Sequence, residues 1–193
     1  MKNSPIKEIL IPALCLLIIG GVCTGLLAGT NLLTKEKIAE IEVQTKNEAK
    51  QAVLTDADDF SKEITVNLND TEYTVYVGTK SGENVGVVIP VTVKSYGGAL
   101  SLMVGIDIRE EKIAGVGITE INDTPGLGMK AKNADFINQF TGKIKDISVT
   151  KNAPNGNEIQ AITSATITSK AVTSAVNTAF EVYNTAKEGG EIG

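Results

Sequence analysis

One run of hydroxyl side chains in this chain of 193 residues is dense enough to indicate chemistry. Seven of the twelve residues from 163 to 174 are Ser or Thr. The run lies where apolar residues at helical spacing predict the start of the last helix. A helix N-terminus presents free N–H groups and a partial positive charge, which suit a phosphate group. Small Ser164 and Ala165 would leave the Thr166 hydroxyl open to a bulky ligand or a modifying enzyme. The structural alternative is that one or two hydroxyls cap the helix.

A second motif combines a turn with close backbone approach. It runs Asp123-Thr124-Pro125-Gly126-Leu127-Gly128-Met129. Pro followed by Gly predicts a tight turn, and the second glycine removes another Cβ, so the backbone can press flat against a ligand. The spacing matches neither a dinucleotide-binding loop nor a P-loop. Tyr96-Gly97-Gly98, between two predicted strands, is interpreted as a bulge or hairpin turn.

The composition excludes several classes of site. The sequence contains no His, which removes Ser-His-Asp and Cys-His nucleophilic sites and histidine-ligated zinc. Its 18 Lys and Arg against 23 Asp and Glu give a net charge of -5, the wrong sign for a protein that binds phosphate backbones. We therefore predict no histidine-based catalytic site, no histidine-ligated zinc site and no nucleic-acid partner. Chemistry must come from hydroxyls, carboxylates or a cofactor.

The N-terminal segment is apolar and predicts a membrane anchor. No charged residue occurs from Ile9 to Thr34, and residues 9–28 are apolar enough to cross a bilayer core of roughly 30 Å as a helix. A cleaved signal peptide is the alternative, but its apolar region is normally about 7 to 15 residues. Cys15 and Cys23, which lie eight residues apart in this helix, cannot form a disulfide.

The remaining elements predict an α+β fold. A single N-terminal transmembrane helix is followed by a compact domain of antiparallel sheet plus helices. Residues 35–54 have the alternating charges of a helical stalk, and residues 63–119 contain short β-branched runs typical of strands. Helices are predicted over residues 133–140 and 165–187. Glycines spaced by four residues form one stripe of the anchor, which favours helix partners in the membrane, although glycine is common in such helices; they are Gly21, Gly25 and Gly29.

In this order, the parts resemble the FMN-binding domain family shared by the G subunit of the Rnf electron-transport complex and the C subunit of the Na⁺-translocating NADH:quinone reductase. The resemblance includes the anchor, Tyr96-Gly97-Gly98, the 124–128 loop, the stretch FINQFTGK from Phe136, and the 163–169 run. The family's flavin-attachment pattern is Asp-x-x-Ser/Thr-Gly/Ser-Ala-Thr. Its last Thr is joined to the FMN phosphate by a flavin transferase that uses FAD. Residues 160–166 align with this pattern and match it from Thr163 to Thr166, with Gln160 at the position of the Asp.

The resemblance implies FMN held by a phosphoester to Thr166. The other residues that it places at the cofactor are Thr163, Ser164, Ala165, Thr168, Thr124, Gly126, Leu127, Gly128, Met129 and Tyr96. Charged residues that could tune the ring or phosphate are Asp123, Glu120 and Lys170. The chain departs from the family at Gln160, where Asp is usual, at Ser164, where Gly is commonest, and before the Pro-Gly turn, where the His of a His-x-Glu-Thr pattern is absent.

The implied function is electron relay in an Rnf-type ferredoxin:NAD⁺ oxidoreductase coupled to Na⁺ or H⁺ translocation. Its partners would be the other membrane and peripheral subunits and the flavin transferase. The implied domains are a tail and anchor (1–34) with a cytoplasmic N-terminus, a stalk (35–60) and an extracytoplasmic FMN-binding domain (61–193). The alternatives are the C subunit of the quinone reductase, whose members have longer chains, a stand-alone tethered flavoprotein, and a non-redox anchored binding domain.

Overall fold

The computed structural model describes residues 5–192, so residues 1–4 of the predicted tail and the final residue lie outside it. The chain divides into two compact units, Met1–Lys46 and Asn47–Gly193. Helix α1 runs from Pro5 to Val53. Within it, Ile9–Lys35 is long and apolar enough to cross a membrane. This helix fits the predicted membrane anchor.

The second unit contains a five-stranded antiparallel sheet whose strands pair in chain order. Its strands are β1 (Asp59–Leu68), β2 (Thr71–Lys80), β3 (Glu83–Lys94), β4 (Ala99–Asp107) and β5 (Lys112–Ile121). A two-residue turn joins β1 to β2, because Asn69 and Asp70 have φ of 50° and 61°, the left-handed backbone that matches strand twist. The predicted antiparallel sheet is confirmed.

Short helical turns and one long helix follow the sheet. A 3-10 turn spans Gly128–Lys132, α2 spans Ala134–Ile137, and a second 3-10 turn spans Asn138–Phe140. The last helix, α3, spans Thr166–Glu188. The helix predicted over 133–140 is therefore α2 plus a 3-10 turn. The sequence pattern did not reveal the two-stranded parallel sheet of β6 (Ser148–Thr150) and β7 (Glu158–Gln160).

Helix α3 covers one face of the five-stranded sheet and forms the main core with it. Its apolar side chains recur at helical spacing, as the sequence pattern predicts, and all of them are buried; they are Val172, Ala175, Val176, Ala179, Val182 and Tyr183. This packing places the start of α3 beside the C-terminal end of β5.

The opposite face of the sheet carries a groove floored by glycine, which we call the glycine groove. Its residues are Gly78, Gly86, Gly105, Gly115 and Gly117. Val53 and Leu54 fill it and are 3% and 2% exposed. An ideal Cβ at Gly105 would overlap the Val53 carbonyl, and one at Gly86 would lie 2.7 Å from Leu54 Cδ1. The end of α1 is thus part of the second unit's packing.

Candidate functional site

A pocket of about 420 Å³ opens where the β3–β4 hairpin, the loop after β5 and the start of α3 meet. The two motifs singled out in the sequence, 123–129 and 163–169, lie more than thirty residues apart in the chain. The fold brings them to opposite walls of this pocket. The lining residues are Tyr96, Asp123, Thr124, Leu127, Gly128, Ser164, Ala165, Thr166, Ile167 and Thr168.

The hairpin wall is a tight turn. The Ser95 N–H donates to the Gly98 carbonyl at 2.7 Å, and Gly98 has a φ of +131° that favours glycine. Tyr96 projects from this turn and is 71% exposed. The interpretation of Tyr96-Gly97-Gly98 as a hairpin turn therefore agrees with the structure, and the turn also presents an aromatic side chain to the pocket.

The loop after β5 forms the second wall. The Thr124 carbonyl accepts hydrogen bonds from the Leu127 and Met129 N–H groups, at 3.2 and 3.3 Å. Gly126 takes the positive φ of +76° at the turn. Gly128 is buried, and an ideal Cβ there would lie 2.6 Å from the Asp123 Cβ and 2.8 Å from the Thr168 Oγ1. Glycine at 128 thus allows the loop to pack directly against α3.

The start of α3 forms the third wall. Ala165 precedes the helix, and no side chain caps it. The structure therefore does not support the alternative that the hydroxyl run caps this helix. Ser169 instead fastens the preceding turn, since its hydroxyl accepts from the Ile162 N–H at 2.9 Å and donates to the Ala165 carbonyl at 3.0 Å. Ser164 has a φ of +64°, which is unusual for a residue other than glycine.

The Thr166 hydroxyl is available within this wall. Thr166 is half-buried and lines the pocket. Its hydroxyl makes no hydrogen bond with the described part of the chain, whereas the hydroxyls of Thr168 and Thr173 are both engaged. A free hydroxyl beside the uncapped N–H groups of a long helix is suited to carry a phosphate ester.

Asp123 lines the pocket and is 4% exposed. Its carboxylate accepts hydrogen bonds from the Ser95 hydroxyl at 2.7 Å, the Gly97 N–H at 2.6 Å and the Thr168 hydroxyl at 2.5 Å. Burial alone raises the pKa of this carboxyl, but the three donors outweigh burial and lower its pKa. Asp123 is therefore an ionised, buried side chain.

The structure brings most of the predicted cofactor residues together. Eight of the eleven line the pocket: Tyr96, Thr124, Leu127, Gly128, Ser164, Ala165, Thr166 and Thr168. Thr163, Gly126 and Met129 lie outside its lining, as do Glu120 and Lys170. Sequence reasoning missed Ile167, whose side chain is 59% exposed at the pocket. The signal available in the sequence was the position of Ile167 between Thr166 and Thr168 in the hydroxyl run.

The lining suits a ligand with a flat ring and a phosphate. The aromatic side chain of Tyr96 and the apolar side chains of Leu127 and Ile167 provide a surface for a ring. Thr166 and the first turn of α3 provide the group and the dipole for a phosphate. The residues present therefore fit FMN.

Comparisons with known proteins agree with this geometry. The FMN-binding domain family matches residues 95–181, and the RnfG N-terminal region family matches residues 1–53. The G subunit of the Na⁺-translocating ferredoxin:NAD⁺ oxidoreductase complex of Acetobacterium woodii is 39% identical over 88% of this chain and 89% of its own. The G subunit of the proton-translocating complex of Clostridium ljungdahlii is 37% identical over 83% of each chain. The crystal structure of Shewanella oneidensis NqrC shares the fold, with a TM-score of 0.51 over 67% of this chain and 68% of that chain at 18% identity.

Proposed function

Because the chain belongs to the family of G subunits of ion-translocating oxidoreductase complexes, we propose that it carries covalent FMN on Thr166 and relays electrons within an Rnf-type complex. The chain is an electron-transfer flavoprotein subunit of such a complex. We further propose that the FMN is held by a phosphoester. In this proposal, ferredoxin and NAD⁺ are the redox partners of the whole complex, and electron transfer is coupled to Na⁺ or H⁺ translocation.

The observation that carries the proposal is the unengaged hydroxyl of Thr166 in the pocket at the start of α3. Thr166 would provide the oxygen of the ester, and the first-turn N–H groups would hold the phosphate oxygens. When bound, FMN supplies the redox chemistry of its ring. Tyr96, Leu127 and Gly128 would orient that ring and limit its contact with water.

The site needs no acid or base from the protein. Asp123 is held by three donors, and the Thr168 hydroxyl is committed to that carboxylate. These groups hold the walls in place and are not free to exchange protons with a ligand. Maturation would depend on a flavin transferase that moves the FMN phosphoryl group from FAD to the Thr166 hydroxyl, with AMP as the leaving group. Residues 163 and 164 are small and exposed, so they do not block this hydroxyl.

The proposed location is the cell membrane, with a cytoplasmic N-terminus and an extracytoplasmic flavin domain. The apolar helix and the membrane complexes of the relatives fit an anchored protein. We propose an anchor (1–34), a stalk after it and an FMN-binding domain that begins near Asn47 instead of at residue 61, because Val53 and Leu54 are buried in the second unit and β1 begins at Asp59. A covalent bond would retain the flavin outside the cytoplasm, where a dissociating cofactor is lost. Other subunits of the complex would be the electron donors and acceptors.

The test is the intact mass of the protein from its native membrane, followed by peptide mapping. We expect an FMN-sized addition on the peptide that contains Thr166. Thr166→Ala should lose flavin that survives denaturation, whereas the control Thr178→Ala should keep it, because Thr178 lies on α3 outside both the attachment pattern and the pocket lining. An unmodified peptide from cells that possess the transferase would overturn the covalent linkage.

A further inference from the structure

The carboxylate of Asp123 joins the three segments that build the pocket. Its Oδ2 accepts from the hydroxyls of Ser95 and Thr168, and its Oδ1 accepts from the Gly97 N–H. Ser95 and Gly97 belong to the β3–β4 hairpin, Thr168 belongs to α3, and Asp123 is the second residue of the loop after β5. A single side chain therefore ties the hairpin, the loop and the helix together.

No cation offsets the charge of this carboxylate within the part of the chain that the structure describes. Ion pairs in that part of the chain include Lys80 with Asp56, Lys112 with Glu110 and Lys187 with Glu111, and none of these three involves Asp123. The three partners of Asp123 are two neutral hydroxyls and one backbone amide. Because the side chain is 4% exposed, solvent screens its negative charge less than it screens a surface acid.

This inference rests on the FMN pocket proposed above. We propose that Asp123 is a positioning residue that holds the three pocket walls together. Its charge, which no cation pairs with among the described residues, also disfavours additional negative charge on the bound ring. Reduction adds electrons to the ring. A fixed negative charge in the pocket lining therefore lowers the midpoint potential of the flavin. Tying the walls together also keeps Thr166, two residues before Thr168 on the same helical turn, in one position relative to the loop.

The variant Asp123→Asn separates the effect of the negative charge from the effect of the three hydrogen bonds. The Asn amide oxygen can accept from the Gly97 N–H, and its NH₂ group can donate to the hydroxyls of Ser95 and Thr168 once these rotate to accept. This variant removes the charge while each partner keeps a hydrogen bond. Asp123→Ala removes the charge and the ties. The matched control is Glu120→Gln, which removes the same charge from an exposed position at the end of β5.

The first measurement is a redox titration of the full chain, purified in detergent from a host with the flavin transferase. We expect a more positive midpoint potential for Asp123→Asn than for the wild type, and no shift for Glu120→Gln. Ser95→Ala, which leaves the carboxylate charged but removes one donor, should shift the potential to more negative values. The electrostatic role would be overturned if Asp123→Asn left the potential unchanged or shifted it as much as Glu120→Gln does. If Asp123→Asn does not fold, an unchanged potential in Ser95→Ala would overturn it.

The second measurement needs no flavin. In the Thr166→Ala background, the amide of Gly97 should exchange with solvent faster in Asp123→Ala, and at the parent rate in Asp123→Asn and Glu120→Gln. An unchanged rate in Asp123→Ala would remove Asp123 from the positioning role. Failure of the FMN proposal gives a different result, because the wild-type protein then lacks covalent flavin while the exchange rates of the flavin-free variants still respond.

Discussion

The Thr168 hydroxyl donates to the Asp123 carboxylate at 2.5 Å across a separation of 45 residues. Both side chains are buried, so the contact fixes the loop after β5 against the first turn of α3. A buried carboxylate is stable only when its oxygens are satisfied. Ser95 and the Gly97 amide complete that requirement from the β3–β4 hairpin.

The lowered pKa of Asp123 predicts a pH-dependent contribution to stability. Since the folded-state pKa lies below the ordinary value of 3.8, the carboxylate stabilises the fold above that value and loses this contribution as the pH falls through the folded pKa. Urea unfolding of the Thr166→Ala protein with and without Asp123→Asn should show a difference in free energy that is constant above about pH 5 and shrinks below about pH 4. A difference that is the same at every pH from 7 to 3 would contradict the assignment.

Ser164→Gly should stabilise the protein. Ser164 has a φ of +64°, and a left-handed backbone costs a residue with a Cβ about 1 kcal/mol, whereas glycine adopts it freely. We expect a gain of about 1 kcal/mol in the free energy of unfolding, measured by denaturant titration of flavin-free protein. Ser164→Ala is the control and should give no gain. Equal stabilities of the Gly and Ala variants would show that the backbone is not strained here.

Gly128→Ala should damage the pocket more than Gly126→Ala. The new Cβ at 128 would meet the Asp123 side chain at 2.6 Å, whereas a Cβ at 126 meets nothing within 4 Å and carries only the cost of its positive φ of +76°. We expect losses of about 2–3 kcal/mol and about 1 kcal/mol in unfolding free energy, respectively. The fraction of chains that carry covalent flavin, read by mass spectrometry, should fall mainly in Gly128→Ala. If the two variants carried equal amounts of flavin, Gly128 would affect only the backbone conformation and not the pocket.

Gly105→Ala tests the glycine groove. Its Cβ would overlap the Val53 backbone, which cannot rotate away, whereas a Cβ at Gly117 lies 3.0 Å from the Val53 Cγ1 of a side chain. Chemical unfolding should give a loss of about 3 kcal/mol for Gly105→Ala. Gly117→Ala should stay within about 1 kcal/mol of the wild type, because the lower entropy of the unfolded chain offsets a small displacement. Similar effects at both positions would mean that α1 does not enter the groove as described.

Local patterns predicted the elements well. β-branched runs with Asn-Asp and Ser-Gly between them identify strands and hairpins, and Val172 to Tyr183 at helical spacing identify the buried face of α3. The hydroxyl run falls at the start of that helix, as predicted. Residues 148–150 and 158–160 are too short to show alternation, so the sequence could not reveal their parallel pairing.

Long-range contacts could not be predicted in the same way. Asp123 is typical of a surface turn when its neighbours in the chain are considered, and its burial depends on partners 28 and 45 residues away. The glycines of the groove lie scattered from residue 78 to 117, where each one alone indicates a weak strand position. Only the register of four strands places them side by side.

The glycine groove also determines where the chain can be cut. The segment that fills it comes from the end of α1, and residues 47–54 therefore supply an apolar cover that the sheet cannot replace with its own side chains. A fragment that begins at residue 55 would expose the apolar side chains of Val85, Val88 and Met103. We expect it to aggregate through this exposed apolar surface. A fragment begun at Asn47 keeps its own cover, so protease trimming and expression boundaries should lie on the N-terminal side of Asn47.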